Sequence, residues 1–239
     1  MKHALVTGAS GAIGAAICRS LAARGLHVFV HGHRHRAAVD GLVGAIRAGG
    51  GQADGLVFDV TDAEQTAAVL GALAENTPIQ VLVNNAGIHD DAPLAGMTQR
   101  QWHRVVDVSL DGFFNVTQPL LLPMMATRWG RIVSLASITA LAGNRGQANY
   151  AAAKAGLIGA SKSLSLEVAA RGITVNVVAP GIIRSPMTDG LFPEERLKQL
   201  VPMRRAGEPA EVADLVAFLT SEQASYISGQ VISINGGML

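Results

Sequence analysis

Short runs of apolar residues, rich in valine and isoleucine, alternate along the chain with longer segments rich in alanine and leucine. The runs are apolar at consecutive positions, which is typical of strands buried on both faces. Strands that alternate with helices predict an α/β fold, in which helices cover both faces of one doubly wound parallel sheet. The predicted strands are 4–6, 28–30, 56–58, 79–83, 131–135, 174–178 and 231–234.

No linker, low-complexity tract or internal repeat interrupts this pattern, so residues 1–239 are predicted to form one domain. With 49% hydrophobic and 15% charged residues, the chain can bury a sizeable core. The formal net charge of +1 argues against a nucleic-acid-binding surface. Cys18 is the only cysteine, which excludes an intramolecular disulfide and favours a reducing cytoplasm. No apolar run is long enough for a signal peptide or a membrane span.

The first predicted strand leads into the glycine-rich segment TGASGAIG at 7–14, and a helical segment follows it. Glycines at such a turn let the backbone approach a pyrophosphate, which then lies at the helix amino end beside free N–H groups. The position of the turn between a strand and a helix therefore predicts a dinucleotide site in a Rossmann-like fold. The predicted contacts are Gly8, Ser10, Gly11, Ile13 and Gly14.

The end of the second predicted strand indicates which nicotinamide cofactor binds. NAD-specific sites place a carboxylate there for the ribose 2′-hydroxyl, whereas a 2′-phosphate needs room and positive charge. Gly32 stands where the acid is expected, and His33 and Arg34 follow. Because a guanidinium suits a phosphate, the sequence favours NADPH over NADH. No carboxylate or thiol accompanies His31, His33 and His35, so no metal site is predicted.

Tyr150 and Lys154 are four residues apart, which places both side chains on one face of a helix. A neighbouring ammonium favours phenolate, so we expect Lys154 to lower the pKa of Tyr150 and make the phenol a usable general acid. Ser137, thirteen residues upstream, is expected to hold a carbonyl oxygen beside the phenol. The three side chains together predict reduction of a carbonyl group. By itself, such a tyrosine and lysine pair also fits a solvated helix face.

The segment 137–154 resembles the active-site segment of the short-chain dehydrogenase/reductase family, a serine followed about a dozen residues later by Tyr-x-x-x-Lys. The resemblance covers the whole chain. The family's TGxxxGxG pattern matches 7–14, although Ala12 replaces the middle glycine and Gly11 lies one residue earlier. The NNAG motif at 84–87 and the PG motif at 180–181 match as well. The resemblance implies catalysis by Ser137, Tyr150 and Lys154 without a metal.

The resemblance also implies further cofactor contacts. Asp59, beside Val60, is expected at the adenine amino group. Asn85, Ala86 and Gly87 are expected between adenine and nicotinamide, although a plain turn with Asn and Gly at positive φ explains NNAG equally well. The contacts implied around the nicotinamide are Tyr150, Lys154, Pro180, Gly181, Ile183 and Ser185.

The family carries a fourth catalytic residue, an asparagine, on the helix that corresponds to the apolar segment 101–125. At that position this chain has Ser109. Asn115 is no substitute, because six residues at about 100° each place it some 240° around the helix. We expect the Ser109 hydroxyl to hydrogen-bond to a backbone carbonyl or a water.

Within the family, GNRGQANYAAAK at 143–154 looks most similar to the 3-oxoacyl-[acyl-carrier-protein] reductases. This similarity implies NADPH-dependent reduction of a 3-oxoacyl thioester on an acyl carrier protein, in fatty-acid, polyketide or aryl-polyene synthesis. It further implies that Arg128 and Arg171 contact the carrier near the active-site mouth, and that the chain forms a homotetramer or a dimer. The segment 185–202 is expected to act as a mobile lid over the substrate.

Other functions are left open by the sequence. The nearest alternative is reduction of another ketone or alcohol, such as a sugar, a steroid or a free ketone, since one fold and one catalytic set serve many substrates. A protein that binds nicotinamide cofactor without turnover is a second alternative. A nucleic-acid-binding module is a third, but the net charge of +1 argues against it.

Overall fold

A computed structural model describes residues 1–239 except Met187, Asp189 and Leu191. The strands in the described residues are β1 (His3–Val6), β2 (His27–Gly32), β3 (Gln52–Val57), β4 (Val81–Asn84), β5 (Gly130–Leu135), β6 (Ile173–Pro180) and β7 (Val231–Ile234). They form one parallel sheet in the order β3-β2-β1-β4-β5-β6-β7. The strand order reverses between β1 and β4, and such a reversal opens a crevice at the carboxyl ends of the strands.

Helices connect the strands. In the described residues they are α1 (Ala12–Ala23), α2 (Arg36–Ala48), α3 (Ala63–Asn76), α4 (Gln99–Val106), α5 (Gly112–Ala126), α6 (Thr139–Ala142), α7 (Ala148–Val168), α8 (Glu194–Leu200) and α9 (Pro209–Leu219). A π-helical segment, Asp107–Asp111, joins α4 to α5.

The core has two layers, one on each face of the sheet. Ala4 and Val6 point into the first layer with side chains from α1, α2 and α9, whereas Leu5 points into the second with side chains from α3, α5 and α7. Successive strand residues face opposite sides, and both sides are apolar here, which explains the continuous apolar runs. The predicted α/β fold, a doubly wound parallel sheet covered by helices on both faces, is therefore confirmed.

The predicted strands overlap the observed strands, although β3 covers Gln52–Val57 rather than 56–58. Two helical segments also differ from the prediction. The long helix expected over 101–125 is divided by the π-helical segment, although Pro119 and Pro123 both remain inside α5. The expected lid 185–202 contains α8, and its residues Met187, Asp189 and Leu191 lie outside the described residues. No helix in the described part of the chain is both long enough and apolar enough to span a bilayer.

Candidate active site

A cavity of about 510 Å³ lies where β1, β4, β5 and β6 end, at the point where the strand order reverses. Its volume is typical of sites for small molecules and cofactors, roughly 300 to 1,000 Å³. Each of these strands, or the loop that follows it, contributes to the lining: Gly8 after β1, Asn85 after β4, Ser137 after β5 and Pro180 at the end of β6. The edge of the sheet thus gathers residues that are far apart in sequence.

The glycine-rich turn forms one wall of the cavity. Gly8 has a φ of +61°, and a Cβ there would lie 2.9 Å from the Cα of Ala86. A Cβ at Gly14 would lie 2.6 Å from the Gly8 carbonyl oxygen. Both glycines are therefore required by the backbone, and the predicted contacts Gly8, Ser10, Gly11, Ile13 and Gly14 all line the cavity.

The same turn offers donors for a phosphate. Gly11 is the residue before α1 and provides no side-chain cap, and the first N–H groups of a helix have no intrahelical partner. Those N–H groups lie at the positive end of the helix dipole, which favours an anion. The chain therefore fits the pyrophosphate of a dinucleotide at this wall.

The NNAG loop is fixed directly onto the glycine-rich turn. The Thr7 hydroxyl accepts hydrogen bonds from the backbone N–H groups of Asn85 and Ala86, both at 3.0 Å. The Asn85 amide donates to the carbonyls of Thr7 and Gly8, at 2.9 and 3.0 Å. Asn85 and Gly87 line the cavity, whereas Ala86 packs against Gly8 beneath it.

Ser137, Tyr150 and Lys154 line one cavity, as the sequence predicted. Lys154 is buried, and its Nζ donates to the Leu135 carbonyl at 2.8 Å and lies 5.8 Å from the centre of the Tyr150 ring. The Ser137 hydroxyl accepts from the backbone N–H of Thr139 at 3.1 Å, which leaves its own proton free to donate. Pro180, Gly181, Ile183 and Ser185 close the same cavity from the end of β6 and the loop beyond it.

Burial controls the protonation of both ionisable groups. It raises the pKa of the Tyr150 phenol, and an interaction with the Ser137 hydroxyl only partly opposes that rise. Burial also lowers the pKa of Lys154 to about 8. The expectation that Lys154 lowers the pKa of Tyr150 below its ordinary value is therefore wrong. The phenol carries its proton at neutral pH, which is the state that a general acid needs.

Asn149 holds the start of α7 in place, a role that the sequence reasoning missed. Its buried amide donates to the carbonyls of Asp90 and Gln101, at 3.0 and 3.1 Å. Its Oδ1 accepts from the backbone N–H of Tyr150 at 2.8 Å. The only signal in the sequence was a polar residue directly before Tyr150.

His33, Arg34 and Asp59 form a cluster beside the cavity, beyond the ends of β2 and β3. The Nε2 atom of His33 lies 3.0 Å from Asp59 Oδ2 and 3.1 Å from Arg34 Nε. One nitrogen cannot both donate to the carboxylate and accept from the guanidinium, so these contacts are alternatives. Burial alone would raise the pKa of Asp59, but hydrogen bonds from Thr61, together with His33 and Arg34, bring that pKa below its usual value.

The structure explains the missing acid at the end of β2. A Cβ at Gly32 would lie 2.6 Å from a methyl carbon of Val39, so a larger side chain would have to displace the Val39 side chain on α2. His33 and Arg34, which directly follow Gly32, are exposed. The surroundings suit a phosphate better than a 2′-hydroxyl held by a carboxylate.

Ser109 lies buried in the π-helical segment. Its hydroxyl has no hydrogen-bond partner among the described residues, so the expected bond to a backbone carbonyl is absent there. Asn115 instead donates to the carbonyl of Val60 at 2.9 Å, which agrees with its exclusion as a substitute. A catalytic role for Ser109 stays a prediction.

Arg128 and Arg171 lie near one another but far from the cavity of their own chain. A Cβ at Gly172, next to Arg171, would lie 2.5 Å from the Arg128 carbonyl oxygen. Both arginines precede the strands β5 and β6, whereas Ser137 follows β5. The six residues of β5 separate the two edges by roughly 20 Å, at ~3.3 Å per residue. One chain therefore does not place this pair at its own active-site mouth.

Arg131, a third arginine near this edge, is structural. It is buried, its guanidinium lies 4.3 Å from the centre of the Trp129 ring, and it donates to the carbonyls of Gly130 and Ser221. A carrier protein cannot reach a side chain enclosed in this way.

Comparisons with known proteins agree with this geometry. Residues 8–239 match the family model adh_short_C2, described as enoyl-(acyl carrier protein) reductase. The chain belongs to the short-chain dehydrogenase/reductase family.

Among individual relatives, the chain is 45% identical over 242 residues to the 3-oxoacyl-[acyl-carrier-protein] reductase of Escherichia coli (strain K12), covering 99% of this chain and 97% of that protein. It is 43% identical over 240 residues to the reductase of the same name from Staphylococcus aureus (strain N315), covering 99% and 98%.

Proposed function

We propose that this protein reduces the 3-keto group of a 3-oxoacyl thioester on an acyl carrier protein to a 3-hydroxyl group, with NADPH as reductant. The observation that carries the proposal is the meeting of Ser137, Tyr150 and Lys154 with the glycine-rich turn in one cavity. The names of the two reductases that the chain resembles over nearly their full lengths support the substrate class.

NADPH fits the residues around the cavity. The glycine-rich turn and the amino end of α1 would hold its pyrophosphate, and His33 and Arg34 would bind its 2′-phosphate. Asp59 and Val60 would lie at the adenine, Asn85, Ala86 and Gly87 along the middle, and Pro180, Gly181, Ile183 and Ser185 at the nicotinamide. When bound, NADPH supplies a hydride to the carbonyl carbon.

The side chains of the cavity bind and protonate the oxygen of the same carbonyl. Ser137 donates a hydrogen bond to it, because Thr139 occupies the lone pair on the other side of the hydroxyl. As the carbon gains its new C–H bond, the π electrons of C=O move to the oxygen, and the Tyr150 proton transfers there to complete the alcohol. Lys154 holds positive charge beside the resulting phenolate. These interactions strengthen as charge develops on the oxygen, which is what accelerates a reaction.

Enoyl reduction is a second candidate, because the matching family model carries that description. The two reactions differ in the bond that is reduced, C=C in one and C=O in the other. The test measures NADPH consumption with the 3-oxoacyl, the enoyl and the free-ketone forms of one carbon chain, each carrier-bound where possible. We expect turnover of the carrier-bound 3-oxoacyl substrate with the highest kcat/KM. Preference for the enoyl form or for the free ketone would overturn the proposal, as would absence of turnover on all three.

We also propose that the chain works as one domain, 1–239, in a cytoplasmic homotetramer. Exposed apolar side chains support the assembly: Phe114 and Leu122 on α5 and Leu166 on α7. A patch of this kind marks an interface when it is contiguous and large. Sedimentation analysis, a single thermal unfolding transition and cell fractionation test the three parts separately.

The carrier contact belongs to the same assembly. Since Arg128 and Arg171 lie across the sheet from their own cavity, we propose that they bind the acidic carrier protein at the cavity of a neighbouring subunit. This arrangement would need an oligomer for carrier-bound substrates but not for small free thioesters.

A further inference from the structure

His31 makes an unusual pair of contacts behind the glycine-rich turn. It is 1% exposed, near the end of β2. Its Nδ1 receives a hydrogen bond from the backbone N–H of Gly8 at 3.2 Å, and its Nε2 lies 2.9 Å from the carbonyl oxygen of Phe58. One buried ring thus ties the turn after β1 to the loop after β3.

The two contacts determine the protonation of the ring. The N–H of Gly8 can only donate, so Nδ1 must accept and carries no proton. The carbonyl of Phe58 can only accept, so Nε2 must carry the proton. The neutral Nε2–H tautomer alone satisfies both partners, because an imidazolium would set an N–H against the N–H of Gly8.

The surroundings keep the ring neutral. Burial lowers the pKa of His31 to about 4, although the bond to Phe58 opposes this effect. The ionisable side chains that act on the ring are His33, beyond the end of its own strand, and Asp59, beyond β3, and their effects are opposite in sign. The Phe58 ring packs against it with 4.1 Å between ring centres. His31 is therefore neutral near pH 7.

We infer that His31 is a positioning residue for the cofactor, which holds the Gly8 amide and thereby the phosphate-binding turn in the conformation that accepts a pyrophosphate. Gly8 has positive φ and packs against Ala86, so a small rotation at Gly8 would move the turn and the NNAG loop together. The bond to His31 resists that rotation from the side away from the cavity. This inference rests on the proposed use of a nicotinamide dinucleotide.

The test uses His31→Leu, which keeps apolar bulk and removes both bonds, and His31→Gln, whose amide offers one acceptor and one donor. His27→Leu is the matched control, because His27 lies on the same strand at its other end. Dissociation constants for NADPH and NADH are measured by fluorescence titration of each folded variant. We expect His31→Leu to raise the dissociation constants of both cofactors by the same factor, at least ten-fold, because both contain the pyrophosphate.

The comparison variants make the result specific. His31→Gln should restore affinity to within about three-fold of the wild type, and His27→Leu should leave it unchanged. Arg34→Ala should behave differently from His31→Leu, by weakening NADPH more than NADH, because only NADPH carries the 2′-phosphate. A purely structural role would lower the melting temperature of His31→Leu without changing either dissociation constant, and that result would overturn the inference.

The wild-type ring provides a second measurement if His31→Leu does not fold. In ¹⁵N-labelled protein at pH 7, the His31 signals should be those of a neutral ring protonated at Nε2, and NADPH should shift them while leaving those of His27 in place. An Nδ1–H tautomer, or His31 signals that do not shift when NADPH is added, would contradict the inference. Failure of the wild type to bind either cofactor would overturn the proposed function as well, whereas equal binding by wild type and His31→Leu would overturn the inference alone.

Discussion

At the scale of single residues, burial sets the chemical state of the site more than neighbouring charges do. Lys154 and Tyr150 were recognisable in the sequence from their spacing, and the cavity does bring them together with Ser137. Their acidities were not predictable in the same way. The sequence shows that an ammonium is near a phenol, but it does not show how much water the fold removes from both, and desolvation dominates here.

Tyr150→Phe tests the proton donor directly. Phenylalanine keeps the ring and loses only the hydroxyl, so kcat should fall by ~10² to 10⁴-fold while the dissociation constant for NADPH stays within a few-fold. Tyr226→Phe is the matched control, because Tyr226 is the other tyrosine of the chain and is fully exposed. A Tyr150→Phe enzyme that keeps more than a tenth of the wild-type kcat would contradict the general-acid role.

The buried ammonium of Lys154 should lower the free energy of unfolding. A pKa lowered from 10.5 to about 8 means that keeping the buried ammonium charged at pH 7 costs roughly 3 kcal/mol. This penalty is complete below pH 8, where folded and unfolded chains are both protonated. It disappears as pH rises from 8 to 10.5, because the folded lysine loses its proton first.

Lys154→Met removes that penalty but leaves the Leu135 carbonyl without its donor, which costs about 1 to 3 kcal/mol. We therefore expect the variant to unfold at the same or a higher temperature at pH 7, to lose the rise in stability between pH 8 and 10.5, and to lose turnover. Lys162→Met, at an exposed position of α7, is the control and should change none of these. A clear loss of stability at pH 7 would show that the ammonium stabilises the fold.

At the scale of elements, the apolar pattern located the strands and missed the irregular helix. Runs such as 131–135 and 174–178 are buried on both faces, so their composition alone identifies them. The π-helical segment Asp107–Asp111, which packs against α7, left no such signal, because its residues suit an ordinary helix. The position of Ser109 was predictable, but the surroundings of its hydroxyl were not.

The buried Ser109 hydroxyl, which has no partner among the described residues, makes Ser109→Ala a sharp test. Removing a buried hydroxyl that has no partner among the described residues should leave the melting temperature unchanged or raise it. If the hydroxyl holds a water that serves the site, kcat should fall, and Ser109→Asn should be tolerated. Ser163→Ala, at an exposed position of α7, should change neither quantity. An unchanged rate in Ser109→Ala would mean that this chain works without a fourth catalytic member.

At the scale of the whole molecule, the parallel sheet has two chemically different edges. The carboxyl edge holds the cavity, and the amino edge holds Arg128 and Arg171. Sequence similarity implied that the two arginines lie near the active-site mouth, but within one chain they lie at the opposite ends of the strands, because separation across a sheet depends on strand direction and not on spacing in the chain. The same limit explains why the bond between His31 and Gly8 was not predictable: it joins β2 to the turn after β1, which are neighbours only through the pairing of these two strands.

Reversing the charges of Arg128 and Arg171 tests whether they bind the carrier protein. Arg128→Glu with Arg171→Glu should raise KM for a carrier-bound 3-oxoacyl substrate at least ten-fold, about 1.4 kcal/mol, and leave KM for a small free thioester nearly unchanged. Added salt should raise the wild-type KM for the carrier-bound substrate but not for the free thioester, since exposed charges are screened beyond ~10 Å at 0.1 M.

Arg19→Glu with Arg24→Glu changes the net charge equally and should leave both KM values unchanged, because Arg19 on α1 and Arg24 directly after α1 are both exposed. Parallel losses on the two substrates in the Arg128 and Arg171 variant would mean that the pair is structural. Unchanged KM values for both substrates would mean that the two arginines do not bind the carrier protein.

The proposed carbonyl reduction is tested by following the hydride itself. NADPH deuterated at both C4 positions is incubated with the enzyme and a carrier-bound 3-oxoacyl substrate, and the acyl product is analysed by mass spectrometry. The proposed reaction gives a 3-hydroxyacyl product with one deuterium on C3, formed in a one-to-one ratio with NADP⁺, and no such product from Tyr150→Phe within the turnover time of the wild type. A 3-hydroxyacyl product without deuterium, or NADPH oxidation without any 3-hydroxyacyl product, would contradict it.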